Sequence, residues 1–421
     1  MTAGMSQARK YGDAHLLRRS VLCAVAAVGA WAVGVAGVAP AAAAAENVRS
    51  KQWYLDAMNA EKVWRTAAGE GIKIAVVDSG VNSSTPSLKG QVLKGFDATG
   101  AVGEETDDYS GHGTTMAELI AGTGQGGGLH GLAPKAKIIP FRIAFEEFEK
   151  KYKTEPQDSA AAIRAAADSD AHIISMSFGS EFLEAGELKA VKYAESKGKL
   201  LFAAAGNSGN GENKAEYPAQ YPEVVGVAAS APEGQTADYS QSGDFVDLAA
   251  PGSDIPYWCD ATFKSYCDGD GGTSAATAIA SASAALIWSA NPDWTANQVL
   301  RVMFESAGKG KDGNKKGLSN FYGHGVVRPG AHINRGLGKP GDPDVSPLTN
   351  KRTSGSSASP TASAPGTSQP PKGESSEAPA VASSSGKSED GNGTGLILGG
   401  VAVVVVLAGG GFLLARRRRN A

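Results

Sequence analysis

Short apolar runs alternate along this chain with longer stretches whose apolar residues recur at helical spacing. Ile72-Lys73-Ile74-Ala75-Val76-Val77 has the length and composition of a strand buried on both faces, as do Ala136 to Ile143, Ile173 to Ser177, Leu200 to Ala205 and Val224 to Ala229. Helical spacing marks Trp53 to Trp64, His112 to Ala121, Ser159 to Ala167 and Glu187 to Lys197. Ala276 to Ala290 is apolar and small, lacks internal Gly or Pro, stops just before Asn291-Pro292, and reads as a buried helix. Strands alternating with helices predict an α/β fold with a mainly parallel sheet and helices on both faces. The charged segment Glu146 to Asp158 interrupts the pattern and reads as a solvated insertion.

The two ends follow different rules. Residues 1–45 read as an export signal: Arg18-Arg19 closes a polar start, Val21 to Val38 is apolar, and Ala41 to Ala45 offers small residues for cleavage. The long apolar stretch leaves an uncleaved anchor open, and both general secretory and twin-arginine export fit. Residues 46–338 hold the periodic pattern. Residues 339–394 are rich in Ser, Pro, Gly and Thr, too poor in apolar side chains to bury a core, and read as a disordered linker. Residues 395–415 contain Leu396 to Ala415, an uncharged apolar run of about 20 residues, enough to cross a bilayer. Arg416 to Arg419 in the tail 416–421 place that end in the cytoplasm. The expected arrangement is a single-pass cell-membrane protein with residues 46–338 outside.

Charge and cysteine content narrow the partners. The formal net charge is −3, and no basic patch outside the C-terminal tail suggests a nucleic-acid partner. Of the three cysteines, Cys23 leaves with the signal; Cys259 and Cys267 either close a local disulfide in an exported protein or stay as thiols. Neither CxxC nor HExxH spacing occurs, so no zinc site is expected; the sequence marks no metal ligand cluster, calcium is left open, and no cofactor is expected.

The candidate chemistry lies at element ends. Asp78 closes the first strand in Val76-Val77-Asp78-Ser79-Gly80, where open α/β sheets place reactive groups. His112 starts a helix in Gly111-His112-Gly113-Thr114, and its flanking glycines permit close approach. Ser274 stands in Gly271-Gly272-Thr273-Ser274-Ala275-Ala276, before the apolar helix. There it serves as a cap, or as a nucleophile beside free N–H donors. A base for Ser274 and an acid to hold the base's tautomer would make acyl transfer possible. Asn207, between glycines after a strand, can donate its amide to an oxyanion.

With these motifs in place the chain resembles the subtilisin-family (S8) serine proteases, over about residues 53–338. The matching stretches are Val76 to Gly80, His112 to Thr114, Ala203-Ala204-Ala205-Gly206-Asn207-Ser208-Gly209 and Gly272 to Ala276. The resemblance implies a subtilisin-like three-layer fold. It makes Asp78, His112 and Ser274 the triad, and Asn207 with the Ser274 N–H the oxyanion hole. It makes Ser177-Phe178-Gly179 the strand that pairs with substrate beside the P1 pocket, and Ala204-Ala205-Gly206 the facing wall. Glu118 stands where the family often has Gly, and Ala278 where Pro is usual. A signal, a Pro-rich linker, a C-terminal membrane helix and a basic tail are shared with the mycosins, membrane-anchored S8 proteases of type VII secretion systems. The short distance from the cleavage region to Trp53 leaves no room for an inhibitory pro-domain. The implied activity is hydrolysis of protein or peptide substrates outside the membrane, in association with a secretion complex. A scaffold of such a complex, with catalysis secondary, is the alternative. An α/β-hydrolase esterase is disfavoured, since Ser274 lacks a GxSxG context and the order Asp, His, Ser is wrong for it. Asp268 and Asp270, near Ser274, are either turn acids or a preference for basic substrates.

Overall fold

A sheet of seven strands, all paired in parallel, runs through the centre of the computed structural model in the order β2-β3-β1-β4-β5-β6-β7. The strands are β1 Lys73–Asp78, β2 Phe96–Asp97, β3 Lys137–Arg142, β4 Ile173–Met176, β5 Leu200–Ala204, β6 Val225–Ser230 and β7 Leu248–Pro251. The structure describes residues 48–152, 159–269, 271–309 and 318–353. The expected signal (1–45), the membrane segment (395–415), the tail (416–421), Cys23, Asp270 and the linker beyond 353 lie outside the described residues.

Residues alternate along β1 and β3 to β7 between two buried faces, which is why these strands read as apolar runs, while the short edge strand β2 stays partly exposed. Ile74, Val76, Ile138, Ile173, Phe202 and Val227 join one core cluster. Ala75, Val77, Ile139, Phe141, Ile174 and Ala203 join another. The first face is covered by helices α3 His112–Ala121, α7 Thr273–Ala290 and α8 Ala296–Ser306, the second by α5 Ser159–Asp168 and α6 Ala185–Ser196. The α/β three-layer expectation holds.

The long helix α7 is apolar enough to cross a membrane (mean hydropathy 1.2), yet 83% of it is buried inside the domain. It is a core helix. Its alanines let it lie close to the sheet and to α3, and side chains such as Ile279 and Leu286 each contribute about 1.5–3 kcal/mol by burial. Asn291 ends it, donating Nδ2 to Ile287 O at 2.9 Å.

Four expectations need correction. Trp53 to Trp64 is two short helices, α1 Trp53–Ala57 and α2 Ala60–Trp64, broken where Asn59 turns left-handed at φ 53°. The segment after Glu146 is not simply solvated. Helix α4 Glu146–Tyr152 occupies its first half and buries Phe148, whose ring lies 4.3 Å from that of Tyr109. The folded part does not stop at 338. Asn297 Nδ2 donates to Pro343 O at 2.9 Å and Arg301 Nη2 to Val345 O at 3.1 Å, while Leu348 packs on the core. Finally, α7 begins at Thr273, with Gly272 at its N-cap. Ser274 therefore sits inside the first turn and is not the cap.

Strand order reverses between β1, which is followed by β3 and β2 on one side, and β4 on the other. Such a reversal opens a crevice at the carboxyl ends of the strands. Val77 is level with Met176, and Met176 with Ala203. Asp78, Ser177 and the Ala204–Asn207 turn therefore leave the sheet side by side.

Candidate active site

Asp78 is fully buried, and its Oδ1 lies 2.7 Å from His112 Nδ1. The same oxygen accepts the Ser79 N–H at 2.7 Å. The histidine comes this close because Gly113 follows it: a Cβ there would collide with Gly80 O and stand 3.0 Å from Asp78 Cβ. Gly111 caps the helix at φ 87°, a conformation that favours glycine.

A second buried carboxylate, Asp108, fixes the start of α3. Its Oδ1 accepts Gly111 N at 2.8 Å, Ser110 N at 2.9 Å and Ser79 Oγ at 2.8 Å. Its Oδ2 accepts Thr114 N at 2.9 Å and Thr114 Oγ1 at 2.6 Å. An anion there also suits the positive end of the helix. Burial opposes charge on the His112 ring, but the Asp78 charge and hydrogen bond, with the Asp108 charge, prevail and hold its pKa above the ordinary value. The side chain remains 36% exposed, so the ring can still meet a substrate.

Ser274 sits across the crevice. Its Oγ donates to Ser177 O at 3.4 Å, while Ser177 Oγ donates to Ser274 O at 3.3 Å. Among the described residues no hydrogen bond joins Ser274 to His112. The serine hydroxyl is a free rotor, and such contacts often tighten only with substrate present.

Asn207 is exposed, but its oxygen is clamped: Oδ1 accepts Thr273 N at 2.9 Å and Thr273 Oγ1 at 3.0 Å. Thr273 Oγ1 also accepts Gly206 N at 3.1 Å. With its oxygen held, the amide N–H₂ is the end left for a ligand. Phe178 is half-buried and Gly179 exposed. Ala204 is buried and Gly206 turns at φ 108°. Ala205 is fully buried beside Ala228, Val246 and Ala249, so it can offer only backbone.

The positioning roles of Thr273, Asp108 and Ser79 escaped the sequence reading. Their only signal is a hydroxyl or carboxylate one to four residues from a candidate group, where solvated turn residues look the same. No group of three or more His, Cys, Asp or Glu able to hold a metal ion occurs among the described residues.

Cys259 and Cys267 are bonded to each other. They tie the hairpin of β8 Tyr257–Trp258 and β9 Tyr266–Cys267, which leans on α3: Trp258 N donates to Thr115 Oγ1 at 3.0 Å. Glu118, fully buried, accepts Thr85 Oγ1 at 2.7 Å and Tyr266 Oη at 2.6 Å. It thereby joins the helix of His112 to the disulfide hairpin. Burial raises its pKa to about 7 against the opposing pull of those bonds. A raised carboxyl pKa stabilises the fold below the unfolded value and is lost as pH climbs through the folded one. The cost of ionising it in place is on the order of 3 kcal/mol. Glu118→Gln should therefore flatten the fall in Tm between pH 5 and pH 8. An unchanged pH dependence would show that Glu118 is not its source.

The subtilase family (peptidase S8) matches residues 69–325, and the chain belongs to that family. It is a subtilisin-type serine endopeptidase. Thermitase of Thermoactinomyces vulgaris is 36% identical over 230 residues, 54% of this chain and 78% of that protein. MycP1 of Mycobacterium smegmatis is similar in structure, with a TM-score of 0.57 and 26% identity over 67% of this chain and 84% of its own. A structure of MycP1 as an essential component of the type VII (ESX-1) secretion system has a TM-score of 0.58 at 28% identity. It covers 70% of this chain and 90% of that one. The resemblance to S8 proteases read from the motifs holds, and so does the likeness to mycosins, which the solved structures carry.

Proposed function

We propose that this endopeptidase works through Asp78, His112 and Ser274, anchored at the outer face of the cell membrane beside a type VII secretion complex. The 2.7 Å bond from His112 Nδ1 to buried Asp78 carries the catalytic assignment. It keeps the proton on Nδ1 and leaves Nε2 as the base. His112 takes the Ser274 proton, Oγ attacks the peptide carbonyl, and the oxyanion meets Asn207 Nδ2 and the Ser274 N–H. His112 then returns the proton to the leaving amine, and water hydrolyses the acyl-enzyme. Asn207→Ala should lower kcat by about 10²–10³ with little change in KM. A loss below threefold would remove Asn207 from the oxyanion site.

The location rests on the apolar run Leu396 to Ala415 with its flanking arginines, and on the Cys259–Cys267 bond, which suits an oxidising compartment. The secretion link rests on the likeness to MycP1. Complementation tests both roles at once. In cells deprived of the chain, the wild type restores secretion and Ser274→Ala does not. Full restoration by Ser274→Ala assigns the chain a scaffold role instead.

A further inference from the structure

The wall Ser177–Gly179 continues into Ser180, which pairs with Tyr217 in both directions: Ser180 N to Tyr217 O at 2.9 Å, and Tyr217 N to Ser180 O at 2.8 Å. This pairing carries Glu216 alongside Gly179. The contact is close, since a Cβ on Gly179 would collide with Glu216 Oε2 and stand 3.1 Å from Glu216 Cβ. On the facing wall, a Cβ on Gly206 would collide with Gln241 Oε1. Gln241 is fully buried; its Nε2 donates to Lys214 O, and its side chain favours the ionised Glu216 carboxyl against the pull of burial. Glu216 thus packs against Gly179 on one wall, and Gln241 against Gly206 on the other.

Charge makes this placement informative. Among the described residues Glu216 has no cationic partner. Lys214, two positions away, pairs instead with Glu181 at 3.0 Å and with Glu212. Burial and the Glu181 charge both work against ionising Glu216 and raise its pKa. A half-buried carboxylate in that state gains from any cation that enters with a ligand. Asp108 and Glu118, by contrast, are already satisfied within the fold. Distance sets the kind of cation. Ser177 touches Ser274, and Gly179 lies two residues on, about 7 Å along an extended strand. A charge at the end of a long flexible stem spans that gap.

We propose that Glu216 is the specificity-determining residue of the P1 pocket and selects peptides with lysine or arginine on the acyl side of the scissile bond. The proposal rests on the serine endopeptidase reading above, because the pocket is defined by its walls beside Ser274. Of the acids singled out earlier for basic substrates, Asp268 is paired with Lys51 at 3.1 Å, and Asp270 lies outside the described residues.

The test uses the purified full chain in detergent and peptides identical except at P1, carrying Lys, Arg, Met, Phe or Glu. A fluorophosphonate probe is run in parallel. Wild-type kcat/KM for Lys and Arg should exceed that for Met, similar in length but uncharged, by about 10- to 100-fold. In Glu216→Gln the Lys-to-Met ratio should fall toward one, and in Glu216→Lys the Glu peptide should overtake the Lys peptide. Best cleavage after Met or Phe by the wild type overturns the proposal and leaves the protease reading intact. So does an unchanged Lys-to-Met ratio in a folded Glu216→Gln. Neither hydrolysis of any peptide nor probe labelling by the folded wild type overturns the underlying reading, and the proposal with it. The wild-type P1 comparison stands even if a variant fails to fold.

Discussion

Ser274→Ala lowers kcat by about four to six orders of magnitude and leaves the fold intact. The magnitude follows from the chemistry, because without Oγ no acyl-enzyme forms and only binding and the oxyanion donors remain to help water attack. Stability should hold because the serine does little for the fold. Gly272 is the helix cap, Thr273 carries the buried contacts to Gly206 and Asn207, and Ser274 Oγ makes one long bond to Ser177 O. Alanine also suits the first turn of a helix. The check is kcat on a peptide substrate beside the Tm of the same preparation. More than about 1% residual activity would place the nucleophile elsewhere.

Asp78→Asn costs about 10⁴ in kcat for a different reason. Asp78 Oδ1 accepts both His112 Nδ1–H and Ser79 N–H, whereas among the described residues Oδ2 has no hydrogen-bond partner. An asparagine that keeps its oxygen at Oδ1 must leave its N–H₂ buried and unpaired. The flipped amide faces the Ser79 N–H with another donor and drives the His112 proton to Nε2. Either way the base is lost or weakened. The sign of the pH effect is also fixed. The Asp78 charge helps hold the His112 pKa above its ordinary value, so removing it lowers that pKa. The acidic limb of kcat/KM against pH then moves to lower pH. A loss under tenfold with an unmoved limb would contradict the pairing.

What the sequence disclosed depended on length and on local order. β1, β4 and β5 were legible as apolar runs, and α3 and α7 as long patterned stretches bounded by Gly. β2 and the strands of the disulfide hairpin are two residues each, too short for periodicity to register. In α4 a run of Glu and Lys hid Phe148, whose burial depends on Tyr109 arriving from another loop. Asn59 broke a helix whose apolar spacing continues through the break.

The site divides the same way. Asp78, His112, Asn207 and Ser274 were legible because each sits in its own short Gly-bounded motif. Glu216 was not, because it reaches Gly179 only through the Ser180–Tyr217 pairing, which no local pattern announces. Asp108 was not legible in its role, since its donors come from Ser79, Ser110, Gly111 and Thr114, which only the fold brings around it. The groups proposed as catalytic are carried by short motifs and can be read from a chain. Residues that position them or select the substrate depend on tertiary contacts.

The most direct measurement is labelling of the purified chain with a fluorophosphonate, followed by identification of the modified peptide. The account expects one adduct on Ser274 Oγ, formed with loss of fluoride, and faster as pH rises through the His112 pKa. A folded wild-type protein that stays unlabelled, or carries the adduct on another residue, would contradict it.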